Sequence, residues 1–448
     1  MRHALTLLSL LLTVALSAQS PVEGTWLGTL DAGAQKLRLS VTLTRSGMAL
    51  AGTLNSLDQG SGELPLQNVA FRDGKLTFTL PALGVSYSGT LAGDAIAGTF
   101  SQGGMALPLT LARVAAVPAA RRPQEPKKPY PYAEEEVVVT NGDVKLAGTL
   151  TLPRGEPPFH AVVLISGSGA QDRDETVFGH KPFLVLADHL TRRGLAVLRL
   201  DDRGTGKSTG SLASVTTEDL AGDTLAAVKL LRARKDVGQI GLIGHSEGGL
   251  IAPMVAKLSK DVAFLVLIAA PGLPGDEIIV RQVERGAAAA GASREHAALA
   301  AGLQRQIVNA VKETPGEAAL RAKLQALLPT PLPDAQLKQL HSPWYRWMLA
   351  YDPRPVLREV AVPILAVNGG KDVQVGAKEN LAAIAEAAQR VRTVELPELN
   401  HLLQRATTGA VSEYATIEET VAPVALETIA EWISRVTTSR SSAPARPD

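Results

Sequence analysis

Between Ile240 and Ala252 an apolar run passes through a short glycine-flanked turn into a second apolar run: Ile240-Gly241-Leu242-Ile243, then Gly244-His245-Ser246-Glu247-Gly248, then Gly249-Leu250-Ile251-Ala252. The first stretch reads as a buried strand and the last as the start of a helix, which gives G-x-S-x-G in a strand–turn–helix setting. The turn must be sharp, and side chains at 244 or 248 would collide with neighbouring backbone, so both flanks are glycine. It lifts the serine hydroxyl above the end of a sheet. A bare G-x-S-x-G recurs by chance in many sequences, and the flanking strand and helix separate this one from an ordinary loop.

The rest of the carboxy-terminal two thirds supplies the sheet that such a turn requires. Glu136-Val139 and Leu146-Leu150 read as an opening hairpin, and Ala161–Ser166, Ala196–Asp201, Ile240–Gly244, Phe264–Ala269 and Ile364–Asn368 as further strands. Most are continuous apolar runs, as expected for parallel strands covered on both faces. Helical patterns separate them, such as Leu220, Thr224, Ala227, Val228 and Leu231 after a cap at Thr216. The order βαβα predicts a doubly wound, mostly parallel α/β sheet over residues 133–436. From about 272 to 349, alanine-rich helical sequence, including Glu284 to Gln306 and Glu317 to Leu328, interrupts the alternation and ends in Trp344-Tyr345-Trp347. This segment reads as a helical cap.

Residues 21–113 follow a different period. Apolar and polar residues alternate in Leu37-Leu39-Val41-Leu43 and Leu76-Phe78-Leu80, and Gly-Thr-Leu/Phe recurs at Gly28, Gly52, Gly89 and Gly98. The pattern predicts a small antiparallel all-β domain, a barrel or a sandwich. Prolines at 118, 123, 126, 129 and 131 among basic residues mark 114–132 as a stiff, solvated Pro-rich linker. Residues 437–448 read as a disordered tail.

Met1-Arg2-His3, the apolar run Ala4–Leu16 and Ser17-Ala18 have the layout of a signal peptide spanning 1–18. About 13 apolar residues fall short of the roughly 20 needed to span a bilayer. Export to the periplasm or beyond is expected, with no stable membrane insertion after cleavage. Forty-five basic against forty-four acidic residues leave a formal charge of +1, which offers no field for nucleic acid. The chain has no cysteine, so the fold must hold without disulfides.

A serine hydroxyl needs a histidine base held in one tautomer by a carboxylate, and in this type of sheet the order along the chain is Ser, Asp, His. Three histidines follow Ser246. His296 and His341 lie in or beside the cap, whereas His401 follows the strand Thr393–Leu396, so His401 is the expected base. Asp372 follows the strand Ile364–Asn368 at its carboxyl end, where such folds place their site loops. Asp276 and Asp352 are weaker rivals, one opening the cap and the other in a Tyr-Asp-Pro turn. The oxyanion requires two backbone N–H donors, expected from Glu247 and, on the loop after Ala161–Ser166, from Ser168 or its neighbour Gly169. Gly204-Thr205-Gly206-Lys207-Ser208-Thr209 imitates a phosphate-binding loop, but Asp201 stands where that motif has its first glycine. No metal-ligand spacing occurs, and no cofactor is expected.

The segments Ser166-Gly167-Ser168-Gly169 with Asp172-Arg173-Asp174, Asp201-Asp202-Arg203-Gly204, Gly244–Gly248 and Asn400-His401 resemble those of the EstD-like bacterial carboxylesterases, over roughly residues 130–436. Trp26-Leu27-Gly28, Ser56 and Gln59 are similar to the amino-terminal module that some of these secreted enzymes carry. The resemblance implies the α/β-hydrolase fold, a serine carboxylesterase and a small-molecule ester substrate of short to medium acyl length. A serine peptidase, an acyltransferase or a thioesterase could run on the same three residues, because the fold does not choose among these chemistries. A non-catalytic envelope-binding protein is the remaining reading. For the peptidase, Asp276 or Glu277 would hold the substrate ammonium. For the esterase, Trp344, Trp347, Met348 and Leu349 would wall the acyl chain.

Overall fold

The computed structural model describes residues 20–31, 36–46, 49–58, 63–117, 121–328 and 332–441. The expected signal segment, Gln59 and the tail beyond 441 lie outside them. Two compact units divide the chain, the first ending at Val117 and the second carrying the described chain beyond it.

The first unit is one antiparallel sheet of nine strands: β1 (Gly24–Asp31), β2 (Lys36–Ser46), β3 (Ala49–Ser56), β4 (Leu64–Pro65), β5 (Gln67–Arg72), β6 (Lys75–Leu80), β7 (Val85–Ala92), β8 (Ala95–Gln102) and β9 (Met105–Val114). Its order, β4-β3-β2-β1-β9-β8-β7-β6-β5, is one continuous hydrogen-bonded sheet. Alternation buries every second residue, as in Leu39, Val41 and Leu43 or Leu76, Phe78 and Leu80, as the pleat dictates. Trp26 is fully buried, its Nε1–H donating to the Val22 carbonyl at 2.8 Å with the Arg113 guanidinium 4.2 Å from the ring centroid. The recurrent Gly-Thr-Leu/Phe triplet has a packing reason: a Cβ at Gly98 would lie 2.4 Å from the Ser88 carbonyl oxygen on the neighbouring strand.

The second unit is built on an eight-stranded sheet. The hairpin β10 (Ala133–Asn141) and β11 (Val144–Leu152) opens it. Then follow β12 (Phe159–Ile165), α1 (Pro182–Thr191), β13 (Ala196–Leu200), α2 (Thr217–Arg232), β14 (Val237–His245), α3 (Gly248–Leu258) and β15 (Val262–Ile268). The order is β10-β11-β13-β12-β14-β15-β16-β17, where β16 is Ile364–Gly369 and β17 Val391–Leu396. From β13 onward all neighbours are parallel. One face of the sheet packs on α2, α3 and a later helix at Ala377–Ala387, the other on α1 and the last helix, Pro423–Ser441. Both faces are therefore apolar, which explains the continuous apolar strands. Thr216 does cap α2, its N–H donating to the Asp219 carboxylate at 2.8 Å.

Between β15 and β16 lie α4 (Gly275–Ala289), α5 (Arg294–Glu313), α6 (Glu317–Leu327), α7 (Asp334–His341), α8 (Pro343–Ala350) and α9 (Arg354–Glu359). The helical stretch Glu284 to Gln306 is divided between two helices: Gly291 takes φ +92° and the Ser293 hydroxyl caps α5 by accepting from the His296 N–H. Alanine periodicity runs through this break and hides it. Helices α4 to α8 close over a core of their own, including Val280, Val308, Val311, Leu320, Leu337 and Leu349.

Two further expectations are corrected. In the Pro-rich stretch, Arg122 donates to the carbonyls of Phe178, Gly179, Ala415 and Ile417 at 2.9–3.1 Å, and Gln124 exchanges hydrogen bonds with Thr420 and Val421. This part of the linker is docked, not solvated, because the Arg122 guanidinium supplies five donors and four carbonyls converge on it. The tail assigned to 437–448 begins too early: the last helix runs to Ser441 with Thr437 buried.

Candidate active site

Parallel pairing sets the site. Ile165 at the end of β12 lies opposite Gly244 near the end of β14, His245 opposite Ile268, and Gly369 at the end of β16 opposite Leu396. The loops that follow β12, β14, β16 and β17 therefore emerge side by side at the carboxyl edge of the sheet, carrying Ser168, Ser246, Asp372 and His401.

Ser246 adopts φ +53°, a left-handed backbone that non-glycine residues avoid unless the surroundings enforce it. Its N–H donates to the Ile268 carbonyl at 2.8 Å. A Cβ on Gly244 would stand 2.0 Å from the Gly248 carbonyl oxygen, and one on Gly248 2.2 Å from that of Ile165. Both glycines are sterically obligatory.

Asp372 is buried, and its Oδ1 accepts from the N–H groups of Gln374 and Val375 at 2.8 and 2.9 Å. Its Oδ2 lies 2.8 Å from His401 Nδ1. A carboxylate only accepts, so Nδ1 carries the proton and Nε2 is left as the basic nitrogen. The turn that presents His401 is shaped by Asn400, fully buried, whose Oδ1 accepts from Leu402 and Gln404. Ser246 and His401 line one cavity of about 370 Å³, together with Ser168 and Glu247. Among the described residues the N–H groups of Ser168 and Glu247 have no hydrogen-bond partner, whereas that of Gly167 is taken by Glu175 Oε1 at 2.7 Å.

The rival residues stand elsewhere. His296 bonds to Ser293 and His341 to the Pro315 carbonyl. Asp352 is paired with Arg354, Asp276 with Lys312 and Glu277 with Arg281. The cap contributes Ile278, Ile279, Gln282, Gln339, Trp344, Tyr345 and Met348 to the cavity. Trp344 and Met348 thus face it, as expected of an acyl wall. Trp347 instead stacks on Tyr351 at 4.4 Å, and Leu349 is buried in the core of the cap; Leu349 stands about 100° around the helix from Met348 and so points away from the cavity.

The side-chain contacts of several groups at the site had no signal in the sequence. Glu247, 2% exposed, accepts from the Thr217 hydroxyl at 2.6 Å and from Trp344 Nε1–H at 2.7 Å. Glu175 accepts from His245 Nδ1 as well as from Gly167. Asp202 accepts from the Ser166 hydroxyl at 2.9 Å and the Gln171 N–H at 3.0 Å; burial pushes its carboxyl up to about 7, outweighing those two hydrogen bonds. Asp201 accepts from the Arg173 guanidinium and from the N–H of Lys207. The false phosphate loop is thereby a brace for the loop that carries Ser168. The quoted Asp-Arg-Asp and Asp-Asp-Arg segments meet here, and their spacing alone did not reveal it.

A model of the alpha/beta hydrolase family matches residues 162–413, more than half of the 448-residue chain. The chain belongs to the alpha/beta hydrolase family. This hydrolase is 30% identical over 272 residues to Esterase EstD of Thermotoga maritima, a match covering 60% of each protein. It thus spans about 60% of the length of that curated relative. Among solved structures it is similar to an esterase of Pyrococcus furiosus, at 17% identity and a TM-score of 0.44, covering 72% of this chain and 99% of that one. It is also similar to proline iminopeptidase of Mycobacterium smegmatis, at 15% identity and a TM-score of 0.46, covering 68% and 100%. Among the described residues no helix is long and apolar enough to cross a membrane.

Proposed function

We propose that the hydrolase is a serine carboxylesterase acting on short- to medium-chain acyl esters, with Ser246 as nucleophile, His401 as base and Asp372 as its orienting acid. In this reading Ser246 Oγ attacks the acyl carbon as its proton passes to His401 Nε2. The N–H groups of Glu247 and Ser168 stabilise the oxyanion. On collapse His401 returns the proton to the leaving alkoxide, and it then activates the water that releases the acid.

The observation that favours an ester over a peptide is the charge of the cavity wall. A pocket selecting free amino termini requires a carboxylate for the substrate ammonium. Among the described lining residues the carboxyl groups are Glu175 and Glu247, each already bonded to two donors within the protein. Asp276 and Glu277 are paired outside it. Ile278, Ile279, Trp344 and Met348 suit an acyl chain.

The test is kcat/KM on p-nitrophenyl butyrate against aminoacyl p-nitroanilides, expected to favour the ester by at least about 100-fold, or about 2.7 kcal/mol. Comparable rates on an anilide would overturn the ester reading, and turnover surviving in Ser246→Ala would overturn the nucleophile. Esterase name and family support the same reading through the relative in Thermotoga maritima. Export belongs to the proposal on the strength of residues 1–18, and cell fractionation tests it.

A further inference from the structure

In the wall of the cavity, His245 and Glu175 form a contact that the steps above do not use. His245 Nδ1 lies 2.8 Å from Glu175 Oε1, and His245 Nε2 lies 3.1 Å from the main-chain carbonyl oxygen of His401. With Glu175 ionised both neighbours are acceptors, and both ring nitrogens then carry hydrogen. Glu175 Oε1 also accepts from the Gly167 N–H, and a carboxylate oxygen has lone pairs for both. The arrangement is satisfied as an imidazolium against a carboxylate.

The two residues are buried, and Glu175 sits at φ +52°, a conformation that costs about 1–3 kcal/mol and persists where the surroundings over-determine it. The groups facing the His245 ring are Glu175 on the loop after β12, the His401 ring at 4.9 Å between centroids, and the charge of Asp372 after β16. Burial acts to discharge the ring, but the Glu175 carboxylate and the His401 carbonyl together hold its pKa above the ordinary histidine value.

We propose that Glu175 and His245 form a permanent carboxylate–imidazolium pair that positions three separate parts of the active site against one another. Glu175 fixes the peptide of Gly167, and hence the neighbouring N–H of Ser168. His245 is itself the last residue of β14 before Ser246, and its far nitrogen holds the main chain of His401. The oxyanion loop, the nucleophile turn and the base are thus joined through one proton-bearing ring. The pair is neutral as a whole, so no uncompensated carboxylate stands beside a developing oxyanion.

The kinetic part of this inference rests on the ester reading; the protonation part does not. In the full chain labelled with ¹⁵N-histidine, both ring nitrogens of His245 should show protonated shifts from pH 6 to pH 8, the signal being assigned by its loss in His245→Gln. In Glu175→Gln one of the two protons should be lost within that range. On p-nitrophenyl butyrate, Glu175→Gln should lower kcat about 10- to 100-fold, the scale expected for a misplaced site, with KM within threefold. His245→Gln combined with Glu175→Gln should cost little more than either alone, because the pair acts as a unit. A His245 ring that gives up a proton below pH 8 in the native chain, or a Glu175→Gln kcat within twofold of native, overturns the proposal. If Glu175→Gln does not fold, the native titration alone decides. If the native chain leaves p-nitrophenyl butyrate intact, the ester reading falls while the same titration still decides the pair.

Discussion

Asp202→Asn should make the hydrolase more stable in base and leave it nearly unchanged in acid. The carboxyl group is held between the Ser166 hydroxyl and the Gln171 N–H, with no cation bonded to it among the described residues, and burial raises it from 3.8 to about 7. A raised carboxyl favours the folded state only while protonated: the contribution is fully present below about pH 4 and is lost as pH rises through 7. At roughly 1.4 kcal/mol per pH unit, ionising the group in place costs about 4 kcal/mol by pH 8. Asparagine has the same shape and never ionises; its Oδ1 can accept from Gln171, and its Nδ2 can donate to the Ser166 hydroxyl. Urea unfolding at pH 4 and pH 8, followed by tryptophan fluorescence of native and variant chains, isolates the effect, since all other titrations cancel in the double difference. Trp344, Trp347 and Trp432 report the hydrolase unit in that signal. The stability gained by the variant should grow by about 4 kcal/mol between the two pH values. Growth below about 1 kcal/mol would show that Asp202 does not resist ionisation there.

Asp372→Asn should lower kcat by about 10⁴-fold, because an amide that donates to Nδ1 holds the wrong tautomer; near-native turnover would move the acid to another residue. Trp344→Phe removes one of two donors to buried Glu247 and should cost about 1–3 kcal/mol in urea unfolding, with a change under about 0.5 kcal/mol speaking against the contact. A chain beginning at residue 121 should keep the Arg122 and Gln124 contacts, whereas one beginning at Pro131 should melt at lower temperature by roughly 5 °C or more; equal melting points would show that docking adds nothing.

What could be read from the sequence was whatever local spacing encodes. The turn at Ser246 needs glycines two residues away on each side, Asp372 follows the apolar strand Ile364–Gly369 and His401 the more polar strand Val391–Leu396, so strand ends single them out. The acceptors that hold the site are set by distance in space. Glu175 and His245 are 70 positions apart, and Glu247 meets Trp344 across 97; no pattern of period two or 3.6 records such pairs. His245 was visible only as an unspecified position of G-x-S-x-G. The break between α4 and α5 escaped because alanine fits a helix and its flanks equally well, and the docking of Arg122 because prolines and basic residues are also the composition of a free linker.

Glu247 belongs to two structures at once. Its main chain lies in the turn of Ser246, while its side chain receives the indole of Trp344 from α8. Most of the cap rests on a core of its own, while α4 also meets the helix Ala377–Ala387 through Arg285 and Glu379. Position 344 reaches further, into the turn of the nucleophile. A cap transplanted from another enzyme would have to bring an N–H donor to this one point, or leave the buried Glu247 carboxyl group with the Thr217 hydroxyl in place of two donors; redesign of substrate range in this scaffold should therefore begin at Ile278, Ile279 and Met348 and leave Trp344 in place.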